Sequence, residues 1–166
     1  MGYGYGIWLV VLQDQLKDFI SSHNFRPFIP HITVQCNMIY GSAKKLFDNL
    51  KSAENIQSVK IISDFLFFQN DKYTNQDNLY AAGLYSEIPN WDSILNRVRK
   101  YQGTFPTKPH ISLVYRLDKK QLTDDYKKIK FEQQNPNFKN NIIDVKMALV
   151  DITSDNPSHW EIIESN

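Results

Sequence analysis

The chain has 166 residues, of which 42% are hydrophobic and 13% aromatic, and a formal net charge of +1. That length suffices for one domain with its own core, and the apolar content argues against intrinsic disorder. Near-neutral charge provides neither an extended basic surface for duplex DNA nor an acidic tail, so the expected partner is small or locally contacted.

The opening GYGYG lacks the Lys and Ser/Thr of a phosphate-binding loop and precedes a strand, so it reads as an entry to that strand. Ile7 to Leu12 is a buried strand. It is far too short to span a bilayer and follows no basic segment, so neither a signal peptide nor a transmembrane helix is expected. Gly6 breaks the myristoylation pattern, and Pro157 blocks the Asn156 sequon. Leu16, Phe19, Ile20 and His23 then recur at helical spacing. Pro30 to Cys36 is a second strand, opened by a proline where a strand tolerates one. Ser42 is positioned to cap a helix carrying Leu46, Phe47 and Leu50, and Val59 to Gln69 forms a long strand.

The second half repeats this order. Leu79 to Tyr85 is a strand, and Asn90 is positioned to cap a helix with Trp91, Ile94, Leu95 and Val98 inward. A strand follows at 109–115, then a helix through Leu122, Tyr126 and Ile129. Two strands, IIDVKMALVDI and HWEIIE, close the chain around an SDNPS turn. The expected architecture is α+β, a single domain over 1–166 with two duplicated lobes near 1–70 and 77–166. The polar stretches Asn70 to Asn78 and Glu132 to Asn141 are expected to be mobile rims. The single cysteine, Cys36, excludes an internal disulfide and fits a reducing compartment, so a cytoplasmic protein is expected.

Two of the four histidines occupy one frame: PHITVQC at 30–36 and PHISLVY at 109–115. Alternation puts His31, Thr33 and Gln35 on one face of their strand, with Ile32, Val34 and Cys36 on the other. Likewise His110, Ser112 and Val114 oppose Ile111 and Leu113. Each strand thus offers an imidazole and a hydroxyl together. If an approximate two-fold axis relates the halves, these faces converge on one cleft. One imidazole then accepts a proton from water and the other donates one to a departing alkoxide, each contributing roughly 10²–10⁴-fold. The Thr33 and Ser112 hydroxyls would donate to the non-bridging oxygens of a phosphate, where charge builds in the transition state.

These paired His-x-Ser/Thr strands, one per half, resemble the two-histidine (2H) phosphoesterase superfamily, and HISLVY is most similar to its cyclic nucleotide phosphodiesterase branch. The resemblance implies antiparallel-rich sheets around a central cleft with helices outside. It also implies metal-independent hydrolysis of 2′,3′-cyclic nucleotides or of ADP-ribose 1″,2″-cyclic phosphate, with no cofactor. His31 and His110 would be the acid–base pair, Thr33 and Ser112 the phosphate clamps, and Tyr115 a base or ribose contact. Strict alternation, however, places Tyr115 with Ile111 and Leu113, away from the histidines, unless the strand twists or ends there. Trp8 or Tyr5 is the alternative aromatic. Relatives also act on RNA ends, 2′-5′ oligoadenylates and cyclic di- or trinucleotide signals, so an immune-signal phosphodiesterase is the second reading of the substrate.

A catalytically idle nucleotide- or RNA-binding module is the reading from another class, but phosphate binding alone needs no paired acid and base. A metal site through His31 or Cys36 lacks HExxH, paired cysteines and ligand spacing. His23 reads as a packed or helix-capping residue and His159 as a surface one. Core spacing accounts for most aromatics, including Phe65, Phe67 and Phe68. The lysine clusters KK at 44–45 and 119–120 and YKKIK at 126–130 read as solvated helix faces. Lys108 and Arg116 flank the second motif, and alternation does not decide whether either reaches a phosphate.

Overall fold

The computed structural model describes residues 3–24, 27–67, 80–133 and 142–166, with backbone only for 131–133. The element order is β1 (Tyr5–Val11), α1 (Asp14–His23), β2 (His31–Met38), α2 (Tyr40–Ala53), β3 (Ser58–Phe67), β4 (Tyr80–Glu87), α3 (Trp91–Val98), β5 (His110–Arg116), α4 (Lys119–Gln133), β6 (Ile142–Asp151) and β7 (Glu161–Ser165). A short 3-10 turn at Pro157–His159 occupies the expected SDNPS connection. The strand–helix–strand–helix–strand order read from each half is therefore present. The stretches 70–78 and 134–141 lie outside the described residues.

Helical spacing sets the buried faces of the first three helices: Leu16 and Ile20 in α1, Ala43, Leu46, Phe47 and Leu50 in α2, and Ile94, Leu95 and Val98 in α3. In α4, Leu122 and Ile129 are buried. Each large apolar side chain so buried contributes roughly 1.5–3 kcal/mol. The expected caps differ. α2 begins at Tyr40 with Ile39 in the capping position, so Ser42 lies inside the first turn and caps nothing. Asn90 does precede α3, but with φ 58° and no side-chain cap. It supplies a left-handed turn, which asparagine tolerates. Among the described residues no helix is long and apolar enough to cross a membrane.

All strand pairs are antiparallel, in the order β1-β2-β5-β4-β3-β6-β7, and β1 also pairs β6. Six strands thus close into a ring, with β7 added to β6. Two joints are short: β2 meets β5 at Ile32↔Ile111, and β3 meets β6 over Ser58 to Lys60. They divide the ring into two arms, β2-β1-β6-β7 and β5-β4-β3. The arms are not the halves of the sequence, because β3 pairs with β4 of the second half and β6 with β1 of the first. Exchanging β1, β2, β3 for β4, β5, β6 leaves the list of pairings in the ring unchanged.

The ring has two unlike faces. The outer face, with Ile7, Leu9, Ile32, Val34, Ala82, Leu84, Ile111, Leu113, Val145 and Met147, forms one core with the buried faces of the four helices. The inner face of the first arm carries a smaller cluster of Trp8, Val10, Ala148, Val150 and Ile152. The histidine motifs open onto this inner face.

Candidate active site

Each motif strand begins at its histidine, just beyond a buried proline, Pro30 or Pro109. Carried one residue either way from Ile32↔Ile111, the antiparallel register sets His31 against Ser112 and Thr33 against His110. The two histidines are then diagonal neighbours, with about 7–8 Å between their Cα atoms. All four motif side chains are half-buried. Among the described residues neither hydroxyl makes an intramolecular hydrogen bond, so both remain available to a ligand.

The two imidazoles are anchored alike. His31 Nδ1 lies 2.6 Å from the Ile29 carbonyl oxygen, and His110 Nδ1 lies 3.0 Å from that of Lys108, in each case two residues upstream. A carbonyl only accepts, so both Nδ1 atoms carry the proton. In its neutral form each ring therefore carries its lone pair on Nε2.

Their surroundings differ. His31 stacks flat on Trp8, with ring centroids 3.6 Å apart and planes 8° from parallel, and Phe28 and Trp160 approach it edge-on. Its pKa is lowered from 6.5 to about 4, chiefly by burial in this aromatic nest, with the hydrogen bond to Ile29 opposing the shift and the nearby charge of His110 adding to it. His31 is thus neutral at physiological pH. His110 instead meets Phe65 edge-on at 5.4 Å.

Register explains this asymmetry. Across the first arm one inner row reads Ala148, Trp8, Thr33; the equivalent row of the second arm reads Phe65, Gly83, Ser112. The large aromatic comes from the middle strand in one arm and the outer strand in the other, with a small residue beside it each time. A Cβ at Gly83 would run into the Ile111 carbonyl and lie 2.9 Å from the Phe65 ring, so the glycine makes room for Phe65. Phe65 therefore lines the inner face beside His110 instead of joining the helix-covered core, and Phe67 follows it there, exposed.

Strict alternation fails in both motif strands, and at the same step. The partners of Trp8 and Ile7 are Thr33 and Gln35, and the partners of Gly83 and Ala82 are Ser112 and Val114. One extra residue, Val34 or Leu113, forms a bulge directly after each hydroxyl. The bulge reverses facing beyond it. Gln35 becomes fully buried, with its amide donating to the Tyr101 carbonyl, while Cys36 packs beside the Trp8 cluster. Val114 likewise joins the outer core, and Tyr115, paired with Ala81, turns to the face of His110 and Ser112. Tyr115 packs edge-on to Phe28 at 5.5 Å.

Beyond Ile32↔Ile111 the two strands part, and their edges are satisfied by opposite halves of the chain. Cys36 exchanges two 2.8 Å backbone hydrogen bonds with Thr104. On β5 a side chain does the same work: Asn24 Nδ2 donates to the Leu113 carbonyl at 2.6 Å, and its Oδ1 accepts from the Tyr115 amide at 2.9 Å. Asn24 is a support that sequence reasoning did not single out, and a lone asparagine after a helix carries no signal of it.

Trp8 is 1% exposed and its face is covered by His31, so it backs the histidine and has no surface for a base. Tyr5 points to the outer face, edge-on to Tyr40, and does not reach the cleft. Arg116 is held by Asp125 at 2.8 Å, and Lys108 lies over the Tyr85 ring at 3.7 Å. His23 accepts the helix-end role, with Nδ1 2.9 Å from the Phe19 carbonyl, and His159 is exposed. Among the described residues no cluster of three or more His, Cys, Asp or Glu side chains is arranged to hold a metal ion.

No protein-family model matches the chain, and no curated protein matches it.

Proposed function

We propose that the chain is a metal-independent phosphodiesterase that opens cyclic phosphates of the 2′,3′-cyclic nucleotide or ADP-ribose cyclic phosphate type, working in the manner of the two-histidine phosphoesterases. The observation that carries this reading is the pair of half-buried imidazoles on adjacent strands, both with Nδ1 tied to a carbonyl and Nε2 free, each facing the other motif's unoccupied hydroxyl. The exchange-invariant strand ring supports the duplicated architecture that the resemblance implies.

The asymmetry of the pair supports an assignment of roles. A histidine titrating near 4 is unprotonated at neutral pH, which suits a base and disqualifies it as the standing acid. His31 Nε2 accepts a proton from water as the water oxygen attacks phosphorus. His110, protonated at Nε2, donates to the ribose oxygen as its bond to phosphorus breaks. Thr33 and Ser112 hydrogen-bond the non-bridging oxygens, where the developing charge makes such donors most effective. The product is a ring-opened phosphomonoester, and exchange of one proton with solvent resets the pair.

Turnover of 2′,3′-cyclic mononucleotides and ADP-ribose cyclic phosphate in excess EDTA, alongside 2′-5′ oligoadenylate and cyclic dinucleotides, tests the reading. Hydrolysis lost in both His31→Ala and His110→Ala is expected. A protein that binds one of these ligands tightly yet turns over none, and binds unchanged as His31→Gln, is a receptor and not an enzyme.

A further inference from the structure

One charged side chain on the inner face is not used by this chemistry. Along β6, Val145, Met147 and Leu149 enter the outer core while Ala148 and Val150 belong to the inner cluster, so alternation places Lys146 on the inner face. Val10 is the register partner of both Lys146 and His31, which puts the three in one row across the floor of the first arm. At the usual strand spacing the two Cα atoms are about 10 Å apart. Val10 between them is short, so the extended lysine stem can lie over it and carry the ammonium toward the histidines.

Lys146 is half-buried, and among the described residues it has no hydrogen bond, ion pair or ring contact. Its neighbours Val10, Ala148 and Trp8 are apolar, and Ser165, partner of Ala148, is a polar one that makes no bond to it. Asp144, on the same face two residues earlier, is exposed and not paired with it. In the second arm the equivalent position is Ser63, partner of Tyr85, and the cation nearest that row is Lys108, which is exposed and lies over the Tyr85 ring at 3.7 Å. Lys146 is thus a half-buried cation in the row of His31 with no ion-pair partner among the described residues, whereas Lys108 beside His110 is exposed and engaged by a ring, and this difference matches an extra negative charge on the His31 side of the ligand.

We propose that Lys146 forms a second anion subsite, one row from His31, which selects substrates carrying a phosphate in addition to the scissile one: nucleotides phosphorylated at the 5′ position or joined through it, in preference to cyclic mononucleotides. This rests on the reading of the histidine cleft as a phosphodiester site. The lysine holds the non-reacting phosphate, so it acts through binding.

The test compares adenosine 2′,3′-cyclic phosphate with its 5′-phosphorylated form, for the intact chain, Lys146→Met and Lys146→Arg. Equilibrium binding of adenosine 2′-phosphate and adenosine 2′,5′-bisphosphate is measured in parallel by calorimetry. The intact chain is expected to favour the 5′-phosphorylated partner of each pair. Lys146→Met, which keeps the apolar stem, is expected to reduce that preference about tenfold, mainly through KM and Kd, and Lys146→Arg to restore most of it. Turnover with no such preference, or with one that Lys146→Met leaves unchanged, overturns the subsite and leaves the phosphodiesterase reading intact. An equal loss for both partners of a pair also overturns it, because the lysine would then be holding the scissile phosphate. Lysine-dependent bisphosphate binding without any turnover upholds the subsite and defeats the phosphodiesterase reading.

Discussion

The two half-sites share a skeleton and differ in what surrounds it. Each has a proline, a histidine tied to a carbonyl two residues back, a hydroxyl and then a bulge. One histidine lies flat on a buried tryptophan from the adjacent strand, and the other meets edge-on a phenylalanine from the outer strand of its arm. Acid–base work at a single pH needs two groups held in different protonation states, and equivalent sites would not supply them. Swapping large and small residues across one row sets His31 alone against a tryptophan face.

Removing either imidazole tests the shared skeleton and has the largest expected effect. His31→Ala and His110→Ala should each lower kcat by about 10²–10⁴-fold. They should separate on a diester with a nitrophenolate leaving group, which needs no proton to depart. His110→Ala should recover most of its rate there, whereas His31→Ala should not. Equal recovery by both would reverse or erase the assigned roles.

Gly83→Ala attacks the swapped row directly. Its methyl group meets the Ile111 carbonyl and the Phe65 ring, so chemical denaturation should show a loss of about 3 kcal/mol. Gly41, whose added Cβ meets nothing within 4 Å, is the control, and Gly41→Ala should be neutral or stabilising.

The nest around His31 makes a pH prediction. Between its folded pKa of about 4 and the ordinary 6.5, the unfolded chain takes up a proton that the folded chain refuses. Its contribution to stability is therefore intact above about pH 6.5 and declines as pH falls toward 4, by at most about 3 kcal/mol. His31→Gln should flatten that part of the stability profile. The acid limb of kcat/KM should likewise lie well below 6.5, and Trp8→Phe should move it upward, while Phe65→Leu should leave it in place.

The smallest contrast concerns the two parted strand edges. Asn24→Ala should cost about 2 kcal/mol in thermal or denaturant unfolding, because the Leu113 carbonyl and Tyr115 amide lose their partner. Thr104→Ala should cost about 0.5 kcal/mol or less, since Thr104 holds Cys36 through its backbone.

The order of elements, the buried helix faces and both histidine strands were legible in the sequence, because periods of two and of 3.6 are local properties of the chain. So was the repeated frame that marks His31, Thr33, His110 and Ser112. Where local rules failed, a neighbouring strand was responsible. The facing of Tyr115 and Cys36 depends on bulges, and a bulge exists only relative to a partner strand. Trp8 and Phe65 gained their roles, and Tyr5 lost its expected one, through which strand lies beside which. The sequence halves suggested two lobes, but β3 and β6 cross to the opposite arm, a choice invisible until pairing is known. Sequence alone singled out the residues proposed to bear the chemistry, since composition and spacing are written along one dimension. Tertiary structure decided which histidine is desolvated and where Lys146 stands, because burial and cross-strand register arise only when distant segments meet.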